Sequence, residues 1–256
     1  MTNREIRAIA VRQSAVDSNC RPEDFACTEH KIVLSVKHAK AARYLEPPFL
    51  CSFTSYGSNV VASVCAELAP VARSYLGRVS AAHCFEPPNL HILSGMLRPK
   101  GLDVCNMAEY FLPDLDLLKP LPCALELRVL EREVFSGLYL PQWGNALCEK
   151  RRDLDVLAVG AYECGTLVGL AGCSADCEDM WQIGVDVLPA YRRCGIASAL
   201  TSRLAWEILQ RGKVPFYCAA WCNLASVRNA IRSGFRPSWV QMTVRPIDEI
   251  AACNGV

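Results

Sequence analysis

Neither sign of charge prevails in this sequence, where 27 lysines and arginines stand against 26 aspartates and glutamates. That balance argues against the broad basic surface of a nucleic-acid binder and against a polybasic membrane face, so any anion site has to be local. Long hydrophobic runs are missing too. The apolar stretches are broken by charges or turn residues well short of a membrane span, and the start Met1-Thr2-Asn3-Arg4-Glu5 does not read as a secretory signal. Low-complexity sequence is absent, and a hydrophobic content of 52% argues against disorder. Histidine is scarce, with four residues against 15 cysteines. No Cys-x-x-Cys occurs; the closest pairs, Cys173 with Cys177 and Cys218 with Cys222, fall in or beside strand-like segments. The thiols therefore read as small buried hydrophobes in a reducing cytoplasm rather than as a metal centre or a disulfide framework. The expectation is a cytoplasmic protein without metal, nucleic-acid partner or membrane.

What is present is concentrated between Val185 and Ala197, spelled V-D-V-L-P-A-Y-R-R-C-G-I-A. An alternating run ends at Val187, Leu188-Pro189 stops it, and Arg192-Arg193-Cys194-Gly195 opens into the helical periodicity Ile196, Leu200, Leu204, Ile208. The first amides of a helix lack intrahelical partners and lie at the positive end of its macrodipole, so such a turn can hold a phosphate with main-chain groups alone. Gly195 admits the ligand close to the backbone, and Arg192 and Arg193 add charge. The turn is not a Gly-x-Gly-x-x-Gly of dinucleotide folds, and it lacks the Gly-Lys-Ser/Thr ending of a P-loop.

The 256 residues allow one large domain or two small ones. The proline-rich stretch from Pro113 to Pro122 favours an extended connector, which predicts a division into 1–120 and 121–256. The second part reads as a strand (Leu125 to Val129), an interrupted helix (Glu131 to Lys150), and two strands (Leu154 to Tyr162, Leu167 to Cys173) about a hairpin turn. A strand (Trp181 to Val187), a helix from Gly195 to Arg211, a short strand from Phe216, a helix from Asn223 to Gly234, and a last strand to Val244 follow. The first part shows a mixed pattern, with a strand or hairpin in Phe49 to Val64, helices near Val71 to Leu76 and Leu90 to Leu97, and a strand near Val104 to Phe111. It reads as an α/β domain, with a degenerate copy of the second part's fold as one option.

Arg192-x-x-Gly195-x-Ala197 after Val-Asp-Val-x-Pro, followed by Asn223, Ser226, Gly234 and Phe235, resembles the GNAT superfamily of acetyl-CoA-dependent N-acyltransferases. The likeness spans roughly Pro122 to Arg245. It implies a mixed, mostly antiparallel central sheet flanked by helices, with acetyl-CoA as cosubstrate and a small-molecule or peptide amine as acceptor. Carried over by residue, the resemblance implies that the amides of Arg193, Cys194, Gly195, Ile196, Ala197 and Ser198 hold the pyrophosphate. It further implies that Val185 to Val187 pair with the pantetheine arm, that the Val187 N–H polarises the thioester carbonyl, and that Asn223 and Ser226 contact the pantetheine or its sulfur end. The tyrosine that many such enzymes carry one turn before Gly-Phe is replaced by Ala230, so Tyr217 and Cys222 stand as substitute acids. Asp186 is the only ionisable side chain on its strand and is the expected general base, with Glu178 and Asp179 as alternatives. Tyr139, Trp143 and Asn145 are expected to line the acceptor pocket. A catalytically silent CoA-binding or regulatory module is the competing expectation, motivated by Ala230, and a thiol-rich metal or redox protein is the other.

Overall fold

The computed structural model describes residues 1–45 and 47–253. In chain order these form α1 (Asn3–Ser18), β1 (Lys31–Leu34), β2 (Cys51–Ser55), β3 (Val61–Val64), α2 (Ala69–Leu76), α3 (Pro87–Leu97), β4 (Leu102–Pro113) and β5 (Glu126–Glu131). The chain continues through β6 (Asp155–Glu163), β7 (Thr166–Ser174), β8 (Met180–Val187), α4 (Ile196–Gln210), β9 (Val214–Ala220), α5 (Leu224–Arg232), β10 (Phe235–Pro246) and α6 (Ile247–Cys253). Among the described residues no helix is long and apolar enough to cross a membrane, and no group of three or more His, Cys, Asp or Glu is arranged to hold a metal ion. None of the fifteen cysteines, all among the described residues, forms a disulfide.

Two compact units emerge. One joins Met1–Ile9 to Tyr110–Pro237, and the other joins Ala10–Glu109 to the chain from Ser238 onward. The expected division into 1–120 and 121–256 differs from this, for two physical reasons. The proline-rich connector is a packed segment: Leu118 is buried, the Asp114 N–H donates to the Gly234 carbonyl at 2.9 Å, and the Leu121 N–H donates to Ser202 Oγ at 3.0 Å. At the other end, β10 runs on past Pro237 and pairs Val240–Val244 with Ser55–Cys51 of β2, which carries the last strand into the second unit.

In the second unit the strand order is β1-β3-β2-β10, with β1 parallel to β3 and β2 antiparallel to both its neighbours. Phe53, Tyr75, Leu93, Leu97 and Met242 fill its core. The sequence reading left out α1, whose amphipathic stripe is weak, as well as the four-residue β1 and the terminal α6.

The first unit carries the strand order β9-β8-β7-β6-β5, in which β5 to β8 are antiparallel neighbours and β8 and β9 run parallel. Cys164 and Gly165 take positive φ of 47° and 82°, the two-residue turn that matches the twist of the β6–β7 hairpin. Helix α4 lies across this sheet because Leu200, Leu204 and Ile208 recur on one face and are fully buried against Leu157, Val159, Ala171 and Ile183. Each such leucine or isoleucine contributes about 1.5–3 kcal/mol by leaving water. The interrupted helix expected over Glu131 to Lys150 is instead three short 3-10 turns, Arg132–Gly137, Pro141–Trp143 and Glu149–Arg151. Pro141 and the glycines at 137 and 144 deny this stretch a continuous α-helical ladder.

Candidate functional site at the split between two strands

The parallel pairing of β8 with β9 runs from Met180–Val214 to Ile183–Tyr217, while β8 continues to Val187 and β9 to Ala220. On its other side β8 stays paired with β7 as far as Val187–Gly169. The alternation of an antiparallel ladder then fixes which groups point into the gap. The Leu188 N–H donates to the Val168 carbonyl at 3.0 Å, so Leu188, Asp186 and Gly184 turn their main-chain groups toward β7. Val185 and Val187 turn theirs the opposite way, to the side where β9 has diverged. A strand edge without a neighbouring strand is a template for an extended ligand, and here the Val187 N–H and the Val185 groups face the gap while the Val187 carbonyl accepts from Arg192.

Beyond the end of β8 comes the turn. Pro189–Tyr191 forms a 3-10 turn, the Tyr191 hydroxyl donates to Glu163 Oε2 at 2.5 Å, and this ties the turn to the β6–β7 hairpin. That bond raises the Tyr191 pKa, since the phenol proton is held by a carboxylate. Arg193 and Gly195 adopt left-handed φ of 66° and 81° around Cys194, and Gly195 is the N-cap of α4. The first bond of the helix is Ala199 N–H to the Gly195 carbonyl at 3.1 Å, so the amides of Ile196, Ala197 and Ser198 precede the ladder. A Cβ added at Gly195 would meet nothing within 4 Å, which makes the φ rather than crowding the reason for glycine. Arg192 is partly committed: its Nε donates to the Val187 carbonyl at 2.9 Å and folds the turn back on the strand end. Arg193 and Cys194 are exposed.

Helix α5 supplies the far side of the gap. Asn223 caps it, its Oδ1 accepting from the Ser226 N–H at 3.2 Å. Ser226 Oγ in turn meets the Tyr217 hydroxyl at 2.8 Å. Tyr217 is buried at the last paired position before the split, and burial raises its pKa, so it holds its proton. Ala230 is fully buried in the core. A seam that sequence reading missed locks α5 to α4: Ser198 Oγ donates to Asn229 Oδ1 at 3.0 Å, Asn229 Nδ2 donates to Thr201 Oγ1 at 3.0 Å, and Ser233 Oγ donates to the Ser198 carbonyl at 3.3 Å. Polar residues three apart, Ser198 and Thr201, on an otherwise apolar helix face were its signal. The Ser198 side chain thus faces the seam, leaving its amide for the turn.

The opposite face of β8 is covered by the segment after Trp143. Gly184 and Gly172 are cross-strand partners, and a Cβ on Gly184 would lie 1.8 Å from the Asn145 carbonyl oxygen while one on Gly172 would lie 2.2 Å from that of Ala146. Asp186, two residues from Gly184 on the same face, accepts from Asn145 N at 2.8 Å, Asn145 Nδ2 at 2.7 Å and Ala146 N at 2.9 Å. Of the residues expected around an acceptor, Asn145 meets Asp186 and Trp143 is 3% exposed in a core with Phe135, Ala146, Leu147 and Leu170. Tyr139 is half-buried beneath Arg152, whose guanidinium lies 4.4 Å from its ring centre; burial, with Asp155 nearby, pushes the phenol up to about 12. Of the alternative acids and bases, Cys222, Glu178 and Asp179 lie outside the β8 strand, and Cys222 is exposed.

Residues 124–235 match the model of the acetyltransferase (GNAT) family. No curated protein matches the chain. Among solved structures, a putative GNAT-family acetyltransferase from Novosphingobium aromaticivorans is 18% identical, with 56% of this chain and 66% of that one covered at a TM-score of 0.39. A GCN5-related N-acetyltransferase-like protein from Streptococcus suis is 21% identical, with 61% and 69% covered at a TM-score of 0.44. A putative acetyltransferase from Salmonella typhimurium, solved with its cofactor acetyl-CoA, is 18% identical, with 49% and 95% covered at a TM-score of 0.37.

Proposed function

We propose that this chain, whose residues 124–235 match the acetyltransferase (GNAT) family model, moves an acetyl group directly from acetyl-CoA to the primary amine of a small-molecule or peptide acceptor in a ternary complex. The observation that carries the reading is the split itself: the main-chain groups of Val185 and Val187 face the gap left by β9, and the helix amides behind Gly195 stand at the end of the same strand. A pantetheine arm has alternating amides that suit the open edge, and a pyrophosphate suits the amides of Arg193 to Ser198. The Val187 N–H, pointing into the gap, is the donor for the thioester oxygen and for the oxyanion that forms when the amine attacks.

When the tetrahedral intermediate collapses, the C–S bond breaks and the CoA sulfur leaves as a thiolate. Asn223 and Ser226 border the sulfur end in this reading: the amine attacks as its free base, the Ser226 hydroxyl relays the Tyr217 proton to the thiolate where Ala230 offers none, and the proton that nitrogen sheds on becoming an amide restores Tyr217. Fifteen cysteines without a disulfide suit a cytoplasmic setting.

Calorimetry with CoA and a thiol-release assay with acetyl-CoA over a panel of amines test the reading together. CoA binding with amine-dependent release supports it. CoA binding without release from any amine replaces it with the silent CoA-binding module that buried Ala230 favours, and no CoA binding refutes both.

A further inference from the structure

We propose that Asp186 is a positioning residue, a clamp that fixes the Asn145–Ala146 main chain on the face of β8 opposite α4 and so sets the wall on which the acceptor amine is presented. The meaning of its kinetic test rests on the acyl-transfer reading above; the clamp itself does not.

Strand parity separates the two tasks of β8. Val185 and Val187 send their side chains to the α4 face and pack against the core there, while their main-chain groups enter the gap. Gly184 and Asp186 send theirs to the other face, where a carboxylate meets three donors within 2.9 Å and a glycine leaves room for a carbonyl oxygen. Asp186 Oδ2 takes both main-chain amides, and Oδ1 takes the Asn145 carboxamide. The segment has no helix or strand of its own here, so the two bonds to Oδ2 are what hold the Asn145 and Ala146 amides, while the next amide, Leu147, closes a turn on the Trp143 carbonyl at 2.9 Å.

Both flanks of the clamp are fixed as well. Trp143 is buried before it, and after it Leu147 is buried and the Cys148 N–H donates to Asp155 Oδ2 at 2.9 Å. Asp186 therefore joins two rigid pieces at one point, immediately between the two residues whose amides face the gap. Three of the roughly four lone-pair sites of this carboxylate are engaged, both of those on Oδ2 by main-chain amides, and a group held in this way orients a loop, whereas a base must turn its lone pair to the attacking ammonium. The clamp thus makes the acceptor wall and the thioester-binding edge a single unit, which limits how far an incoming amine can stray from the carbonyl carbon.

The test is a rescue experiment. D186N keeps an oxygen for the two main-chain amides but takes away the charge that strengthens both bonds, and it meets the Asn145 carboxamide only once that group turns over to present its oxygen. The double variant D186N/N145D restores a charge-assisted pair with donor and acceptor exchanged, and N145A removes only the side-chain arm. Amide exchange at Asn145 and Ala146 is read in every variant, together with CoA affinity and thiol release from acetyl-CoA with L-lysine, spermidine and kanamycin as amine probes. The clamp requires that exchange at both amides quickens by about tenfold or more in D186N, returns toward the parent rate in the double variant, and leaves CoA affinity within about twofold. With an active amine, its KM rises by about tenfold in D186N with a smaller fall in kcat, the acid limb of the pH–rate profile survives, and the double variant recovers the loss. Unchanged amide protection in D186N overturns the clamp. So does loss of the acid limb with a fall in kcat that N145D does not repair, since that is the behaviour of a base. If no amine gives release from the parent protein, acyl transfer fails while the amide-exchange arm still decides the clamp.

Discussion

Gly184→Ala tests the closest contact in the first unit. The methyl group would stand 1.8 Å from the Asn145 carbonyl oxygen and 2.7 Å from its carbon, both far inside van der Waals contact. Neither is the end of a flexible side chain; the backbone itself has to lift by well over an ångström to reach an ordinary separation of about 3.4 Å. The Asn145 and Ala146 amides donate to Asp186 at 2.8 Å and 2.9 Å, so that lift breaks both bonds. Two main-chain bonds to a charged acceptor are worth about 1.5–3 kcal/mol each. Water reaches Asp186, which is only half-buried, so the lower end of that range applies. Alanine recovers about 0.4–1 kcal/mol by restricting the unfolded chain. The net expectation is a destabilisation of about 2–4 kcal/mol, with Ala146 and Leu147 partly drawn from their core. Urea denaturation with a probe on the first unit, Trp143 fluorescence for example, measures it as a lower midpoint at unchanged slope. A midpoint equal to the parent's, or higher, would mean that the segment yields freely, and the account of Gly184 and of the clamp behind it would be wrong. Gly172→Ala, facing the Ala146 oxygen at 2.2 Å, should behave alike.

Gly195→Val forces a β-branched residue into φ 81° in open space, which costs about 1–3 kcal/mol and turns the amides of the α4 N-terminus away from one another; CoA affinity by calorimetry should fall by at least about tenfold while the circular dichroism spectrum stays that of the parent, and full affinity would refute the pyrophosphate assignment. Tyr217→Phe removes the proton held beside Ser226, so kcat for thiol release should fall by about tenfold or more with CoA affinity little changed, an unaltered kcat removing the hydroxyl from the reaction. Asn229→Ala strands the hydroxyls of Ser198 and Thr201 in a buried seam and should cost about 2–4 kcal/mol in denaturation; a cost below about 1 would show that water replaces the carboxamide. In the second unit burial raises the Asp17 carboxyl from 3.8 to about 6, against the Ala42 amide and the Gln13 carboxamide that favour its charge. The folded state then binds more protons than the unfolded one between those values, so this group's contribution makes stability fall as pH rises from about 4 to about 6. Melting temperatures of the parent and D17N across that window should diverge, and parallel curves would contradict the assignment.

The parts of the first unit that sequence made legible share one property: their signals are local. A period of 3.6 over Ile196, Leu200, Leu204 and Ile208, a cap at Asn223, a hairpin around Gly165 and a stop at Gly212 each lie within a few residues, and each element stands within a few residues of its expected place. The failures share the opposite property. Residues 131–150 carry helical spacing, yet 3-10 turns win because the sheet face at Gly172 and Gly184 offers this segment a backbone-to-backbone seat that no periodicity in its own sequence announces. Two isolated glycines inside strands were the available sign, since such glycines mark a close approach. The division of the chain escaped for a similar reason, because β10 reads as one strand while its two halves answer to different cores.

Asp186 shows how far a single-strand reading reaches. Its neighbours Val185 and Val187 alternate with it, so sequence alone separates its face from theirs and brings its carboxyl within one residue of the proposed thioester site. From that position a base is the natural inference, for nothing on the same strand can neutralise the group. The partner is Asn145, on a segment without repeat or motif and about forty positions earlier in the chain. Carboxylates that lie beside a reaction and carboxylates that take part in it are alike in sequence; they differ in whether their lone pairs are already spoken for. That distinction makes the rescue by N145D decisive, because a second carboxylate introduced beside D186N can restore a clamp but cannot restore a base whose position it does not occupy.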